Sequence, residues 1–136
     1  MTPRPRIVVD NNVLISRLLL PAPVPAHAVR KAVDTGQLLV SEATLAELAE
    51  VLSRSKFDPY VTIADRQQFF RLLGGVAELV PVTYRVRACR DPKDNRILEV
   101  AVNGEANLII TGDQELLALN PFHAIVTVTP AAYLGL

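Results

Sequence analysis

RIVVDNNVLIS, residues 6–16, joins two patterns at one acidic residue. Ile7-Val8-Val9 is a continuous β-branched run without polar alternation, the pattern of a strand buried on both faces. Asp10 ends the run, two asparagines follow, and Val13, Leu14, Ile15, Leu18 and Leu19 return at helical spacing. A carboxylate between a buried strand and a helix is costly to ionise unless something compensates it. Its partners must come from elsewhere in the chain.

The alternation continues to the C-terminus. The proline-rich PAPVP, residues 21–25, breaks the first helix, and a second runs from about Ala26 to Gly36, the expected C′ glycine. QLLVS (37–41) is a second strand. Ser41 then caps a helix whose core face is Leu45, Leu48, Ala49 and Leu52. Residues Lys56–Tyr60 form a loop, and Thr62 with Asp65 resembles a capping box opening a helix that ends at Gly74-Gly75. AELVPV (77–82) is a third strand, placed near a sheet edge by Pro81. Asp91-Pro92 starts a helix with Ile97, Leu98, Ala101 and Val102 inward, ending near Gly104. NLIIT (107–111) and AIVTV (124–128) are the fourth and fifth strands, each followed by a short helix. Strands that read as apolar runs between helices predict an α/β domain around a mostly parallel sheet, with no repeat or linker in 1–136.

Composition narrows the classes. Fourteen basic and fourteen acidic residues give a formal net charge of zero, so any nucleic-acid contact must use a local basic patch. The one cysteine, Cys89, forms no internal disulfide and reads as a small packing residue, in keeping with a reducing cytoplasm. MTPRPR, residues 1–6, has basic residues but no long apolar stretch before Asp10, and no run reaches the roughly 18–20 residues of a membrane span. The expectation is a cytoplasmic protein with no membrane association.

Two strands end alike, IVVD at Asp10 and LIITGD at Asp113. Open parallel sheets bind ligands beyond the carboxyl ends of their strands. Two carboxylates delivered there repel each other unless a cation lies between them. At 100° per residue, Glu50 points opposite the Leu48-centred face, whereas Glu47 lies at the edge of the buried stripe, beside Thr44 and Val51. Asp91 is an N-cap acid, expected to serve its helix and point away. Asp94, in the first turn, either serves the helix dipole or reaches over the sheet edge. Asp10, Glu47, Asp94 and Asp113 are four hard oxygen donors with no histidine motif beside them, a set suited to Mg²⁺ or Mn²⁺ and not to zinc. His27 and His123 read as surface or packing residues.

These motifs resemble the PIN-domain nucleases, in particular the VapC-like toxin branch, over nearly the whole chain. Asp10 and Asn12 match the first motif, Glu47 in SEATLAEL the second, Asp94 in DNRILEVA the third, and Asp113 in TGDQELL the fourth. Asn11 stands where the family commonly has Thr or Ser, and is not read as a ligand. The resemblance implies a single PIN-like domain with a five-stranded sheet of order 3-2-1-4-5, flanked by helices. It also implies metal-dependent hydrolysis of RNA phosphodiesters by a toxin, with a cognate antitoxin and a homodimer as expected partners. Asp10, Asp94 and Asp113 would hold the metal and Glu47 would complete its surroundings. Asn12 and Thr111 would orient the carboxylates, and Arg17, Lys93 and Arg96, nearest the acids in sequence, would bind RNA.

Two other classes, one an enzyme and one a signalling domain, begin with a hydrophobic strand ending in Asp. A haloacid-dehalogenase-like phosphatase needs a second acid two residues on, where this chain has Asn12; a phospho-receiver needs adjacent acids, and a lysine after its last strand that AIVTVTP lacks. A catalytically silent PIN fold kept as a protein-binding module remains a further alternative, which intact acids argue against.

Overall fold

The computed structural model describes residues 4–19 and 23–136; residues 1–3 of MTPRPR and 21–22 of the PAPVP break lie outside the described residues. Five strands run β1 (Arg6–Val9), β2 (Gln37–Val40), β3 (Glu78–Leu79), β4 (Leu108–Ile110) and β5 (Val126–Val128). They form one sheet of order β3-β2-β1-β4-β5, every pairing parallel. The seven helices among the described residues are α1 (Asn11–Leu19), α2 (Pro23–Thr35), α3 (Glu42–Leu52), α4 (Ile63–Val76), α5 (Pro92–Asn103), α6 (Gln114–Ala118) and α7 (Pro130–Leu134).

Successive strand residues face opposite sides, and both sides are covered, which is why the strands read as unbroken apolar runs. Ile7, Val9, Leu38 and Ile110 pack with Val13 and Leu14 of α1, Ala28 and Ala32 of α2, Leu48 and Leu52 of α3, and Tyr133 of α7. Val8, Leu39 and Ile109 face the other way, against Ile97, Leu98 and Ala101 of α5 and Leu116 of α6. The outcome is a three-layer α/β/α fold. None of the described helices is long and apolar enough to cross a membrane.

Caps fix the helix starts. The Ser41 hydroxyl accepts from Thr44 N at 3.2 Å while the Thr44 hydroxyl accepts from Ser41 N at 3.0 Å, a capping box closed by threonine. Thr62 accepts from Asp65 N, Asp91 from Lys93 N, and Thr129 from Ala132 N. The Asp10 amide donates to Ile110 O and so extends the β1–β4 ladder, while its carbonyl accepts from Val13 N and Leu14 N. Asp10 is thus the last residue of the strand pairing and the first anchor of α1.

Several expectations are corrected. α2 begins at Pro23, three residues before Ala26, because Pro23 and Pro25 sit in its first turn, where helical N–H groups have no carbonyl to bond. α4 runs through Gly74 and Gly75 to Val76; both glycines are exposed, and the strand that follows takes the chain out of the helix at Ala77. Ala49 is exposed, and Thr44 and Val51 complete the buried stripe of α3 with Leu48 and Leu52, a phase shift of about a sixth of a turn. The loop Lys56–Tyr60 begins inside a 3₁₀ turn, Ser55–Phe57. As expected, β3 lies at the sheet edge, but it spans only Glu78–Leu79 of the expected 77–82, and an Arg6–Glu78 ion pair of 2.7 Å fastens it.

Candidate active site

β1 and β4 are neighbours in register, so Asp10 and Thr111 leave the sheet side by side. The fully buried Thr111 hydroxyl donates to Asp10 Oδ2 at 2.8 Å and accepts from Asp113 N at 3.0 Å, linking the two strand-end acids. Asp10 Oδ1 accepts from the Asn12 amide at 3.1 Å. Burial raises the Asp10 pKa above the carboxylate range; these two hydrogen bonds act against that, and the charge of Asp113 adds to it. Asp113 caps α6, its Oδ1 accepting from Glu115 N at 2.8 Å and Leu116 N at 3.2 Å. Among the described residues its Oδ2 has no protein donor.

α3 and α5 close the cleft. Asn11, 5% exposed, donates its side-chain amide to Thr44 O at 3.0 Å, so the start of α1 is tied to the first turn of α3. One turn further, Glu47 turns half-buried toward Asp10. Burial raises its pKa; Lys93 and Arg96 act to lower it, Asp10 and Asp91 to raise it. Asp94 enters from the first turn of α5, only 7% exposed, and its carboxylate makes no hydrogen bond to a described residue. Its pKa is pushed up to about 6, chiefly by burial and then by the charges of Asp113, Asp91, Asp10 and Glu115.

Asp10, Glu47, Asp94 and Asp113 therefore line one cleft of about 240 Å³ beyond the carboxyl ends of the strands. Its walls carry five carboxylates, the fifth being Asp91, and three cations, Arg54, Lys56 and Lys93. Asp91 caps α5 as expected but does not point away: the turn into the helix leaves it on the cleft wall. Glu50 is outside, paired with Arg54 at 2.8 Å. Two larger grooves, of about 650 and 500 Å³, lie along α4 and are mainly apolar, with one carboxylate each, Asp58 and Asp65. The smaller cleft is the candidate active site because titratable groups with displaced pKa values converge there.

Of the three expected RNA contacts, Lys93 lines the cleft and Arg96 stands exposed beside it. Arg17 does not reach it; its guanidinium lies over the Phe69 ring at 5.4 Å, in the smaller apolar groove. Asn12 lines the cleft, with its amide on Asp10. Arg54 and Lys56 escaped the sequence reading because they enter through the 3₁₀ turn after α3, far in sequence from every acid of the cleft but Glu47. Also missed was Glu115, whose Oε1 accepts from Arg90 N at 2.9 Å. The potential ligand atoms of Cys89, Asp94 and Glu115 lie within 4.8 Å of one another, the one such trio among the described residues. The Cys89 thiol, pushed up to about 11 by burial and the acids around it, stays neutral there.

Can these residues hold a cation? Among the described residues, Asp94 is a buried carboxylate without a donor, and Asp113 keeps one oxygen unbonded at the cleft. A hard divalent cation would satisfy both, and a buried carboxylate such as Asp94, whose pKa its acidic neighbours raise, is one a cation stabilises.

The PIN domain family model matches residues 6–115. The uncharacterized protein MJ1680 of Methanocaldococcus jannaschii is 27% identical over 116 residues, covering 84% of this chain and 74% of its own. Two solved structures share the fold. A chain of VapBC2 from Rickettsia felis, crystallised with a DNA fragment from their promoter, superposes with a TM-score of 0.64 at 11% identity, over 91% of this chain and 98% of that one. PAE2754 from Pyrobaculum aerophilum gives a TM-score of 0.64 at 16% identity, over 97% and 89%.

Proposed function

We propose that this chain, which belongs to the PIN domain family, is a metal-dependent endoribonuclease acting as the toxin of a toxin–antitoxin pair. The observation that carries the nuclease reading is Asp94: a buried carboxylate with no hydrogen-bond donor among the described residues, facing three other acids at the carboxyl edge of the sheet. Mg²⁺ or Mn²⁺ is the cofactor this donor set suits.

Asp10, Asp94 and Asp113 would hold the ion, with Glu47 across the cleft. Such an ion, when bound, lowers the pKa of a water and stabilises a leaving oxygen in phosphodiester hydrolysis. Thr111 and the Asn12 amide aim Asp10 and favour its charged form against the effect of burial. The Asp113 cap leaves one of its oxygens for the cleft. Lys93, Lys56 and Arg54 offer the phosphate its positive contacts on the same wall.

The partners that go with this reading are RNA, a cognate antitoxin and a second copy of the chain, all in the cytoplasm. The antitoxin is supported by the VapC-like motifs and the fold shared with the VapBC2 chain. The toxin role is tested by induced expression: wild type should arrest growth with loss of intact RNA, and Asp10→Asn at equal abundance should not. Arrest by both would remove the catalytic basis of toxicity.

A further inference from the structure

Between β3 and α5 the chain runs without strand pairing, yet it is held along its length. α5 presents Asn95, Glu99 and Asn103 at intervals of four residues, one face of the helix. Asn103 Oδ1 accepts from Thr83 N and Tyr84 N, each at 3.0 Å, and its Nδ2 donates to Tyr84 O at 2.8 Å. Glu99 Oε2 accepts from Val86 N at 3.1 Å. Asn95 Oδ1 accepts from Ala88 N and Cys89 N, and Glu115 accepts from Arg90 N. Val86 is buried, so the alternate residues Arg85 and Arg87 face outward.

The outward side is positive and uncompensated. Thr83–Arg90 contains Arg85, Arg87 and Arg90 and no acid, in a chain whose charges cancel overall. All three arginines are exposed. Among the described residues only Arg85 comes within 4 Å of a carboxylate, Glu99 at 3.9 Å, and its side chain is 76% exposed. The backbone N–H groups of Arg85 and Arg87 have no acceptor among the described residues, while those of their neighbours are bonded. At one end stands Tyr84, 58% exposed; at the other Arg90 adjoins Asp91 on the cleft wall.

We propose that Thr83–Arg90 is a rail for the phosphodiester backbone of single-stranded RNA, with Arg85 and Arg87 each taking a phosphate, Arg90 leading the strand into the acidic cleft and Tyr84 stacking a base. The nature of the ligand rests on the ribonuclease reading. Residues two apart in an extended segment lie roughly 6.5 Å apart, close to the step between neighbouring phosphates of an extended strand. A guanidinium and a free backbone N–H from one residue together make a phosphate site. A face of bare cations attached to a rigid helix would otherwise only repel itself.

The test is binding of a labelled single-stranded RNA oligonucleotide in EDTA, followed by fluorescence anisotropy across a salt series. Single strands give a slope of about 0.7 in log affinity against log salt per neutralised phosphate. Arg85→Ala/Arg87→Ala should therefore flatten the slope by about 1.4 and weaken binding at least about tenfold at low salt. Arg30→Ala/Arg71→Ala removes the same charge from exposed positions on α2 and α4 and should leave the slope unchanged. Tyr84→Ala should weaken binding and keep the slope. Equal slopes for the two double variants, or wild-type binding that ignores salt, would overturn the rail. Wild type that cleaves RNA while the two slopes stay equal removes the rail alone. Rail-dependent binding without cleavage removes the nuclease reading and leaves the rail.

Discussion

Asp94→Asn should make the metal-free protein more stable. The substitution keeps the shape of the side chain and deletes a buried charge that no described group neutralises. In the folded chain the Asp94 pKa stands at about 6, raised from 3.8. At about 1.4 kcal/mol per unit of displacement, the ionised carboxylate costs the fold about 3 kcal/mol. The folded state binds this proton more tightly than the unfolded state, so wild-type stability falls as pH rises from about 4 through about 6 and stays low above that. The variant lacks this contribution. Urea unfolding in EDTA should therefore give nearly equal stabilities at about pH 4, with the variant ahead by about 2–3 kcal/mol at about pH 7.5. Asp10 and Glu47, also raised, leave a residual slope of the same sign in both proteins. A variant no more stable than wild type at the higher pH, or ahead by the same margin at both, would refute the reasoning.

Magnesium or manganese should offset much of that lead. Ion binding to the native state adds about 2.7 kcal/mol at a hundredfold excess over Kd, so the wild-type melting temperature should rise, and the gain should shrink in Asp10→Asn and Asp94→Asn; equal gains would place the ion elsewhere. Thr111→Val removes the hydroxyl that bonds both Asp10 and the Asp113 amide in a fully buried position. It should cost about 1–3 kcal/mol of stability and roughly 10–100-fold in metal affinity by titration calorimetry, with Thr111→Ser restoring most of both.

The fold was legible because its signals are local and agree. Ile7-Val8-Val9 and Leu108-Ile109-Ile110 are apolar on both faces, and Ser41, Thr62 and Asp91 stand where helices must start. The four acids could be gathered because two end adjacent strands and two sit in the early turns of helices that cross the same sheet edge. What failed depended on distances that the sequence does not carry. Arg17 is near Asp10 in sequence, but seven helical residues carry it about 10 Å away, toward Phe69. Asp91 does its capping work with one oxygen, and only the path of the preceding loop turns it to the cleft. That loop has neither periodicity nor strand partners, because the side chains of α5 hold it, and so it read as an unremarked connection.

Cleavage of single-stranded RNA by purified protein tests the central claim most directly, with Mg²⁺ or Mn²⁺ supplied and EDTA as the control. Wild type should cleave only with the ion. Asp10→Asn, Asp94→Asn and Asp113→Asn should each be slower by at least about a hundredfold while remaining folded, and Glu50→Gln should match wild type. Cleavage that persists in EDTA, or in a folded Asp10→Asn protein, would contradict the account.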